Sequence, residues 1–479
     1  MEFPVMSKPQ LFRRELSADC ETPLSIFARL KGESNSFLFE SAEGGEHWGR
    51  YSIIGFEPSC VALDRNGTLE LQHRNGSTVN RDGDILSWLK TEVLQASPCT
   101  ADDLPFTGGA VGFLSYEMVR RFEPFSSRHA SGADEVAAGI LLIDRFVVFD
   151  GLRGTMTLCV RGSDAAQAAT ELNAIESRLF GAGLPPMHLA MPNNSAEPQA
   201  QMQQQEYEDM VSQAKEYILA GDIFQVVLSQ RFSSPLTCDP LSIYRAVRHI
   251  NPSPYLFYVD IAGTTLVGSS PEILVRQEGR RAIVRPIAGT RPRGKTEAED
   301  QALEKDLLSD TKELAEHVML VDLGRNDLGR VCEFGSVAVT DSMVVERYSH
   351  VMHIVSEVQG NLRDDVDCLD LLAATFPAGT VSGAPKIRAM QIIDELEPFQ
   401  RGPYAGIVGY IAFGGEHMDT CIAIRTAVIQ NGQVHVQAGA GIVADSVPAN
   451  EHRECVNKAT AMFRAVALAE NQPREGNSK

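Results

Sequence analysis

The sequence predicts an α+β protein whose strands pair mainly in antiparallel fashion. Two observations support this class. In the second half of the chain, several strand-like segments follow one another directly through short turns, and the dipeptide Asn431-Gly432 is typical of a two-residue hairpin. Helical segments occur between groups of strands, but they do not separate every strand from the next, as a doubly wound parallel sheet would require.

Composition divides the 479 residues into three parts. Residues 12–184 alternate short β-like runs with glycine turns and are expected to form an N-terminal lobe, in which the clearest strand covers 140–148. Residues 185–205 are rich in Pro, Asn and Gln and lack hydrophobic periodicity, so they are expected to form a linker. Residues 206–470 form the larger second domain.

The second domain opens with an amphipathic helix. It is expected to begin near Gln205, because apolar residues from Tyr207 to Ile218 recur at helical spacing and Gly221 suits its C-terminal end. Further along, strands are expected over 224–231, 255–261, 282–286, 407–413, 420–429 and 433–438, and helices over 298–324, 368–375, 382–396 and 449–469.

Charge and cysteine usage exclude several functional classes. The 43 basic and 63 acidic residues give a formal net charge of −20, which argues against general binding to nucleic acid or an anionic membrane. The nine cysteines are scattered without a CxxC pair, so reduced thiols are expected. No stretch of about eighteen apolar residues and no signal-peptide segment is found, so a cytoplasmic location is expected.

Two pairs of acidic residues stand out on predicted helices. Glu313 and Glu316 are three residues apart and share one helical face, and so do Glu451 and Glu454, with Lys458 one turn further on. Two carboxylate pairs can converge on a hard cation such as magnesium, which takes one or two protein carboxylates and completes its shell with water and an anionic substrate. A solvated acidic face remains the alternative at this point.

Glycines and one arginine indicate a ligand site. Gly439, Ala440 and Gly441 follow a strand, and Thr380 lies in a glycine-containing turn before a helix, where backbone can approach a ligand closely. Neither segment matches a nucleotide-binding glycine motif, and tight turns are the alternative. Arg425 is expected within the apolar strand 420–429, where it needs either a bound carboxylate or an internal salt bridge.

Several long motifs, taken in order, resemble those of the chorismate-utilising enzymes. The resemblance covers about residues 206–466 and, more weakly, 12–162. It implies a two-layer antiparallel β-sandwich core wrapped by helices, with chorismate and Mg²⁺ bound between the layers. The motifs are PIAGTRPRG (286–294), ELAEHVMLVDLGRNDLGR (313–330), RYSHVMHIVSEVQG (347–360), GTVSGAPKIRAMQIID (379–394), GPYAGIVGY (402–410), DTCIAIRT (419–426), QAGAGIVADS (437–446) and NEHRECVNKA (450–459).

The resemblance also implies roles for individual residues. Glu316 and Glu454 correspond to magnesium ligands, supported by Glu313 and Glu451. Glu272 corresponds to the acid that protonates the departing ring hydroxyl, and His353 to the histidine of a later elimination step; Thr380 lies beside the ligand. Substrate-binding positions are implied for Gly289, Thr290, Tyr404, Arg425, Gly439, Ala440, Gly441 and Lys458.

Two positions separate the branches of this family. In one branch a lysine that attacks the ring occupies the position of Ala288, and in another a lysine that activates water occupies the position of Gln225. Neither lysine is present, and a glutamine can only orient a nucleophile by hydrogen bonding. Ammonia is therefore the expected nucleophile, followed by loss of pyruvate, which is the anthranilate synthase pattern.

The resemblance extends to partners and regulation. Ser41 ends a segment that is similar to a tryptophan-binding element, and Pro254, Tyr255 and Leu256 are similar to its second half, so feedback inhibition by L-tryptophan is expected. The sequence contains no glutaminase motif with a nucleophilic cysteine, so a separate glutamine amidotransferase subunit is expected to supply ammonia.

Three other functions remain open from the sequence. The enzyme could stop at 2-amino-2-deoxyisochorismate without eliminating pyruvate, or it could be an aminodeoxychorismate synthase, which the alanine at position 288 disfavours. A third hypothesis is a catalytically inactive tryptophan sensor, which the presence of Glu316, Glu454, Arg425 and Tyr404 disfavours.

Overall fold

The structure is a computed structural model that describes residues 8–41, 49–65, 67–99, 101, 103–124, 127–129, 136–181, 183, 198–348 and 351–470. Within these ranges, none of the helices combines the length and apolarity that crossing a bilayer requires. All nine cysteines lie in the described residues as free thiols, and seven are buried, which confirms the expectation of reduced thiols.

In the part of the chain that the structure describes, twenty-four strands form two large sheets. The strands are β1 (Gln10–Ser17), β2 (Ser36–Glu40), β3 (Tyr51–Gly55), β4 (Cys60–Arg65), β5 (Thr68–His73), β6 (Thr78–Asp82), β7 (Gly109–Leu114), β8 (Ala138–Ile143), β9 (Arg145–Asp150), β10 (Thr155–Gly162), β11 (Gln199–Ala200), β12 (Gln225–Pro235), β13 (Tyr255–Ile261), β14 (Thr264–Ser270), β15 (Ile273–Glu278), β16 (Arg281–Val284), β17 (Ile287–Pro292), β18 (Ala338–Arg347), β19 (Val351–Asn361), β20 (Gly383–Ala384), β21 (Ile407–Ala412), β22 (His417–Ile422), β23 (Thr426–Gln430) and β24 (Gln433–Ile442).

The sheets are antiparallel throughout the described strand pairs. Sheet 1 has the order β1-β10-β9-β3-β2-β13-β14-β23-β24-β12-β11, with β20 also paired to β12. Sheet 2 has the order β17-β19-β16-β15-β22-β21-β7-β8-β4-β5-β6, with β18 also paired to β19. The predicted hairpin at Asn431-Gly432 joins β23 to β24 in register. The α+β class and its antiparallel pairing are confirmed.

Helices cover the outer faces of both sheets. They are α1 (Pro23–Leu30), α2 (Ile85–Leu89), α3 (Val119–Phe122), α4 (Ala165–Gly181), α5 (Gln204–Leu219), α6 (Pro240–Ile250), α7 (Glu297–Ser309), α8 (Thr311–Gly329), α9 (Cys368–Thr375), α10 (Lys386–Leu396) and α11 (Pro448–Glu470), with single 3₁₀ turns at Tyr116–Met118 and Gly379–Val381 and a π turn at Lys90–Leu94.

Among the described residues, three large hydrophobic clusters hold these layers together, and a fourth, small one packs Leu307 of α7 against β19. One joins residues of both sheets, such as Phe37 and Phe257 of sheet 1 with Phe113 and Val408 of sheet 2, and forms the interior of a β-sandwich. The other two large clusters pack helices on the outside, for example Tyr244 of α6 against sheet 1 and Leu371 of α9 against sheet 2. The expected two-layer sandwich wrapped by helices is therefore confirmed.

The N-terminal segment and the second domain share both sheets. Strand β2 pairs with β13, and β7 pairs with β21, so strands from before and after the expected linker are hydrogen-bonded neighbours. Both sheets therefore continue from one segment into the other. The boundaries at residues 184 and 206 stay a prediction from the sequence. Residues 185–197 of the expected linker lie outside the described residues.

Three sequence predictions of element boundaries were wrong. The run 140–148 is two strands, and the chain passes at Asp144 from β8 in sheet 2 to β9 in sheet 1. The segment 298–324 is two helices, because the Asp310 side chain caps the start of α8. The segment 420–429 is also interrupted, since Arg425 has a φ of +50° that ends β22 and separates it from β23.

A buried ion pair links several elements near the centre. Arg401 and Glu397 are 1% exposed each and lie 2.6 Å apart. Arg401 also donates to the carbonyl oxygens of Val381 and Val227, at 2.6 and 2.7 Å. Glu397 accepts from the backbone N–H and the hydroxyl of Ser229, at 2.7 and 2.8 Å. The pair therefore joins α10, β12 and the turn that carries Thr380.

Removing the arginine of this pair should be costly. We predict that Arg401→Met lowers the free energy of unfolding by about 3–5 kcal/mol, because it leaves a buried carboxylate without its partner. The same substitution at Arg325, whose ion pair with Asp322 is more than half exposed on both sides, should cost about 1 kcal/mol or less. Urea denaturation of both variants checks this, and equal losses would contradict the account.

Candidate active site

A cavity of about 300 Å³, called here the small cavity, lies between β19, α11 and the chain that follows α6. It is lined by three residues that the sequence singled out, His353, Arg425 and Lys458. Its other walls come from Val247, Ile250, Asn251, Pro252, Ser253, Pro271, Tyr348, Val351, Asn457, Ala461, Met462 and Ala465. Two cationic side chains and a histidine thus line one cavity.

His353 is held in a single tautomer. It extends from β19, and its Nδ1 lies 3.0 Å from both the carbonyl oxygen of Gly289 and the hydroxyl of Thr290. Because a carbonyl can only accept, Nδ1 carries the proton and Nε2 is left unprotonated. Burial lowers the pKa of His353, which favours the neutral ring. The side chain can therefore accept a proton through Nε2.

Arg425 is half-buried and has no fixed partner among the described residues. Its guanidinium makes no hydrogen bond and no ion pair with any residue in the described part of the chain. Burial lowers the pKa of this group, and the nearby Glu272 and Tyr348 side chains partly offset that effect. The internal salt bridge that the sequence left open is thus not formed among these residues. A half-buried guanidinium in this state favours an anionic ligand.

Glu272 is a carboxyl group that stays protonated near neutral pH. It lies between β14 and β15 and is buried. Burial raises the pKa of Glu272 to about 8, although a weak contact with the Thr380 hydroxyl and the charge of Arg425 act in the opposite direction. A carboxyl with this pKa can donate a proton at pH 7, as a general acid must. Glu272, Thr380 and Arg425 are therefore brought together.

Gln225 connects the strands to the acidic helix. At the start of β12, its Nε2 donates to Glu316 Oε1 at 2.9 Å. Since a carboxylate only accepts, this bond fixes the amide orientation and directs Oε1 elsewhere. Oε1 is buried and has no hydrogen-bond partner among the described residues. A buried free acceptor of this kind suits a ligand that carries N–H or O–H groups.

The glycine segment of β24 leaves room beside these groups. A Cβ on Gly441 would lie 2.5 Å from Gln225 Nε2, and one on Gly439 would lie 2.7 Å from the Tyr404 hydroxyl. Both glycines therefore face the site, as alternation along the strand requires. Ala440 points the other way, into the hydrophobic core, so only its backbone can line a ligand. Lys458 Nζ donates to the Gly439 carbonyl at 2.9 Å.

The two acidic pairs face the same region from helices α8 and α11. Burial raises the pKa of Glu313, and so does the adjacent charge of Glu316. Burial raises the pKa of Glu451, and the charge of Glu454 adds to this rise. A hydrogen bond from Ser446 and the charge of Lys312 on α8 oppose it without cancelling it. The charge of Lys312 acts on Glu451 because the first turns of the two helices lie near each other. Glu454 is paired with Lys458 at 2.7 Å.

A magnesium site at Glu316 and Glu454 stays a prediction. Within the described ranges, no group of three or more His, Cys, Asp or Glu side chains is arranged to hold a metal ion. Two carboxylates from separate helices, with water and an anionic ligand, are nevertheless what magnesium uses in many sites. The backbone of Gly289 lies close to one of these carboxylates, because a Cβ added there would be 3.4 Å from Glu313 Oε2.

A second cavity of about 470 Å³, called here the large cavity, lies inside the sandwich. Ser41, Pro254, Tyr255 and Leu256, which the sequence grouped as one binding element, all line it. The sequence analysis missed the ion pair between Arg276 and Asp419 (2.6 Å), which lies on its far wall beside Tyr255. Strand alternation in β15 and β22 was the signal available, since it places both charges on an inner face.

The sequence analysis also missed part of the small cavity. Asn251, Pro252 and Ser253 line it, although they directly precede Pro254, Tyr255 and Leu256, which the sequence grouped with the tryptophan-binding element. Tyr348, which lies near both Arg425 and His353, was missed as well. No spacing signal marks these positions, because they lie in loops whose place depends on the folded sandwich.

Known proteins share this architecture and sequence. A family model described as chorismate binding enzyme matches residues 35–464. The chain belongs to the chorismate-binding enzyme family. It is 48% identical to anthranilate synthase component 1 of Acinetobacter calcoaceticus, over 96% of this chain and 95% of that protein. It is 49% identical to the same component of Pseudomonas putida, over 95% of each.

Solved structures agree with this membership. Anthranilate synthase component I from Streptococcus pneumoniae superposes with a TM-score of 0.78 at 38% identity, over 93% of this chain and 98% of that one. The menaquinone-specific isochorismate synthase from Escherichia coli shares the fold, with a TM-score of 0.70 at 21% identity over 96% and 95%. The resemblance to the component I enzymes, read from the motifs, is therefore confirmed.

A substitution at Gly441 tests the contact between Gln225 and Glu316. Gly441→Ala should leave the fold intact but displace the Gln225 amide from Glu316, because the new methyl group would lie 2.5 Å from Nε2. Misplacement of a site group by about 1 Å can cost on the order of 100-fold in rate. Gly162→Ala, where nothing lies within 4 Å, is the matched control. Steady-state turnover of chorismate checks both, and equal rates would contradict the assigned contact.

Proposed function

We propose that this enzyme converts chorismate and ammonia into anthranilate and pyruvate, with ammonia supplied by a glutamine amidotransferase subunit. The observation that carries the proposal is the Gln225 side chain, whose buried Oε1 has no partner in the described part of the chain. An amide oxygen accepts a hydrogen bond from ammonia and orients its lone pair toward a ring. At position 288 the side chain is a methyl group, so no lysine there competes as nucleophile.

Substrate binding follows from the cationic groups. Chorismate carries two carboxylates, and the free guanidinium of Arg425 suits the enolpyruvyl carboxylate through a bidentate contact. Tyr404 supplies a hydroxyl beside the Gly439 backbone. Thr290, Lys458 and the backbone of Gly289, Ala440 and Gly441 complete the proposed cradle. The glycines let main-chain groups approach the ligand without a side chain between them.

Glu272 and His353 divide the proton transfers between them. In the first step, protonated Glu272 donates to the ring hydroxyl as it leaves, assisted by Thr380 at its side. In the second step, a ring carbon loses a proton as pyruvate departs and the ring becomes aromatic. The unprotonated Nε2 of His353 accepts that proton. The two groups suit opposite tasks because burial keeps one carboxyl protonated and one imidazole neutral.

Magnesium is the proposed cofactor. Glu316 and Glu454 would hold the ion, and Glu313 and Glu451 would help to orient its bound water. When bound, Mg²⁺ neutralises the ring carboxylate of chorismate and makes the ring easier to attack. The role of the chain is to keep carboxylates from two helices at one end of the ligand. Gln225 contributes by holding Glu316 through its amide.

The large cavity is the proposed site of feedback inhibition by L-tryptophan. Its lining combines the Ser41 side chain, the aromatic residue Tyr255 and the apolar residues Pro254 and Leu256, which suits an aromatic amino acid. Glu40, Arg50 and Arg276 provide charges at its edge, although Arg50 and Arg276 are already paired with Asp150 and Asp419.

A second candidate function stops at 2-amino-2-deoxyisochorismate. The fixed tautomer of His353 favours completion, because a base is in place for the elimination step. Product fluorescence separates the two functions, since anthranilate is aromatic and the intermediate is not. An inactive tryptophan sensor is disfavoured by the paired catalytic groups around Glu272 and His353.

The function is tested with the isolated chain. With chorismate, Mg²⁺ and ammonium at alkaline pH, we expect fluorescent anthranilate to form without the second subunit, and glutamine alone to support no turnover. Glu316→Gln should lose most of this activity, because the amide is a poor magnesium ligand. Asp322→Asn, on the exposed side of the same helix, is the matched control. Absence of anthranilate, or full activity in Glu316→Gln, would contradict the proposal.

The pH dependence should report Glu272. The protonated form is required, and burial raises its pKa to about 8 in the free enzyme, so kcat/KM per free ammonia should fall as pH rises through about 8. Expressing the rate per free ammonia removes the titration of ammonium itself. Glu272→Gln should be slow and lack this limb, whereas the exposed Glu297→Gln should keep it. A pH-independent kcat/KM in the wild type would refute the role of Glu272.

A further inference from the structure

The small and large cavities share one wall. Asn251, Pro252 and Ser253 line the small cavity, and the next two residues, Pro254 and Tyr255, line the large one. This short segment begins where α6 ends and continues directly into β13. A change in how Pro254 and Tyr255 sit around a ligand is therefore transmitted through only a few bonds to the wall of the other cavity.

Ser269 holds this shared segment from the neighbouring strand. It is fully buried on β14, where it lies opposite Leu256 of β13, one of the residues that line the large cavity. Its hydroxyl donates a hydrogen bond to the carbonyl oxygen of Asn251. The hydroxyl of Ser269 thus holds Asn251, at the start of the segment. The backbone of Ser269 is paired with Leu256, the residue that follows the segment.

The backbone of Ser269 reaches Arg425 on the other side. Its N–H donates to the Arg425 carbonyl oxygen at 3.2 Å, where the pairing of β14 with β23 ends. Arg425 has a φ of +50°, a conformation that non-glycine residues keep only when neighbouring contacts enforce it. Since its guanidinium has no hydrogen bond from the described chain, the aim of this side chain depends on the position of its backbone.

We propose that Ser269 is a positioning residue that couples the large cavity to Arg425, so that a ligand in the large cavity changes how tightly the small cavity holds a carboxylate. This inference rests on the proposed function, in which the ligands are L-tryptophan and chorismate. Tryptophan that contacts Pro254, Tyr255 and Leu256 shifts the position of the Asn251 carbonyl. Ser269 moves with this carbonyl because its hydroxyl donates to it. The N–H of Ser269 then displaces the strained backbone of Arg425, to which it is hydrogen-bonded.

A second connection runs in parallel. Glu40, which lines the large cavity, accepts a hydrogen bond from Tyr244 and forms an ion pair with Arg248 at 3.2 Å, both on α6. Helix α6 also lines the small cavity through Val247 and Ile250. This connection reaches the wall of the small cavity but not the backbone of Arg425. Loss of the Ser269 hydroxyl should therefore remove most of the coupling and leave a remainder.

The experiment compares tryptophan affinity with and without chorismate. The dissociation constant of L-tryptophan is measured by titration calorimetry on the full chain with Mg²⁺, first alone and then with saturating chorismate in the absence of ammonia. Their ratio is the coupling factor, which by linkage equals the effect of tryptophan on chorismate binding. A factor of about 5–150 is typical of allosteric proteins, and the wild type should fall in this range.

Ser269→Ala should bind tryptophan alone within about threefold of the wild type, while its coupling factor falls at least about fivefold toward 1. Ser269→Cys, with a similar volume and a weak donor, should behave in the same way, and Ser269→Thr, which keeps the hydroxyl, should retain coupling. A purely structural role would alter stability but not separate these variants by coupling. Ser234→Ala is the control, since that buried hydroxyl of sheet 1 has no partner within the described residues.

Two results would overturn the proposal in distinguishable ways. If the wild type is coupled and Ser269→Ala and Ser269→Cys keep the full factor, the role of Ser269 is wrong and the proposed function stands. If the wild type binds no tryptophan, or binds it without any effect of chorismate, the regulatory part of the proposed function fails and the role of Ser269 fails with it.

Discussion

The arrangement of the site depends on one constraint, a half-buried guanidinium without a fixed partner in the described chain. Arg425 is placed between two strands of different sheets by its positive φ, and burial disfavours its charge unless an anion is near. Glu272 lies close enough to respond to that charge but stays protonated, so it does not neutralise Arg425 at pH 7. An arginine and a neutral acid side by side suit a substrate that brings its own carboxylate and must receive a proton.

The sandwich explains why distant motifs meet. Strands β12 and β24 carry Gln225 and the glycines of sheet 1, whereas β17 and β19 carry Thr290 and His353 of sheet 2. The helices α8 and α11 add carboxylates from the outside, and the Arg401–Glu397 pair ties the Thr380 turn to β12. Since the glycines admit no side chain, the two sheets and the helices can approach a small ligand on several sides.

Much of the fold was accessible from the sequence because periodicity is local. The helix 368–375 and the strand 255–261 were predicted with the observed bounds, and the Asn431-Gly432 turn was read from its chemistry. The breaks at Asp144, Asp310 and Arg425 were missed. At each of them apolar or helical patterning continues on both sides, while a capping side chain or a change of sheet sets the boundary. Such breaks are decided by tertiary structure.

The sequence predicted which residues belong to a site but not how those residues are arranged in space. Motif resemblance selected His353, Arg425 and Lys458, which line one cavity, and Ser41 with Pro254–Leu256, which line another. It gave no indication that Asn251 to Ser253 belong to the first cavity, or that Ser269 touches the segments of both. Those relations follow from strand register, because Leu256 and Ser269 are opposite each other in sheet 1. The two cavities are therefore separated by only a few residues of one chain segment.

The central claim is that ammonia nitrogen enters the chorismate ring and that pyruvate then leaves. The most direct measurement is mass spectrometry of the products formed from chorismate and ¹⁵N-ammonium by the isolated chain with Mg²⁺. The account predicts ¹⁵N-labelled anthranilate and one pyruvate for each anthranilate. A labelled product that retains the enolpyruvyl group, or a hydroxylated product without ¹⁵N, would contradict it.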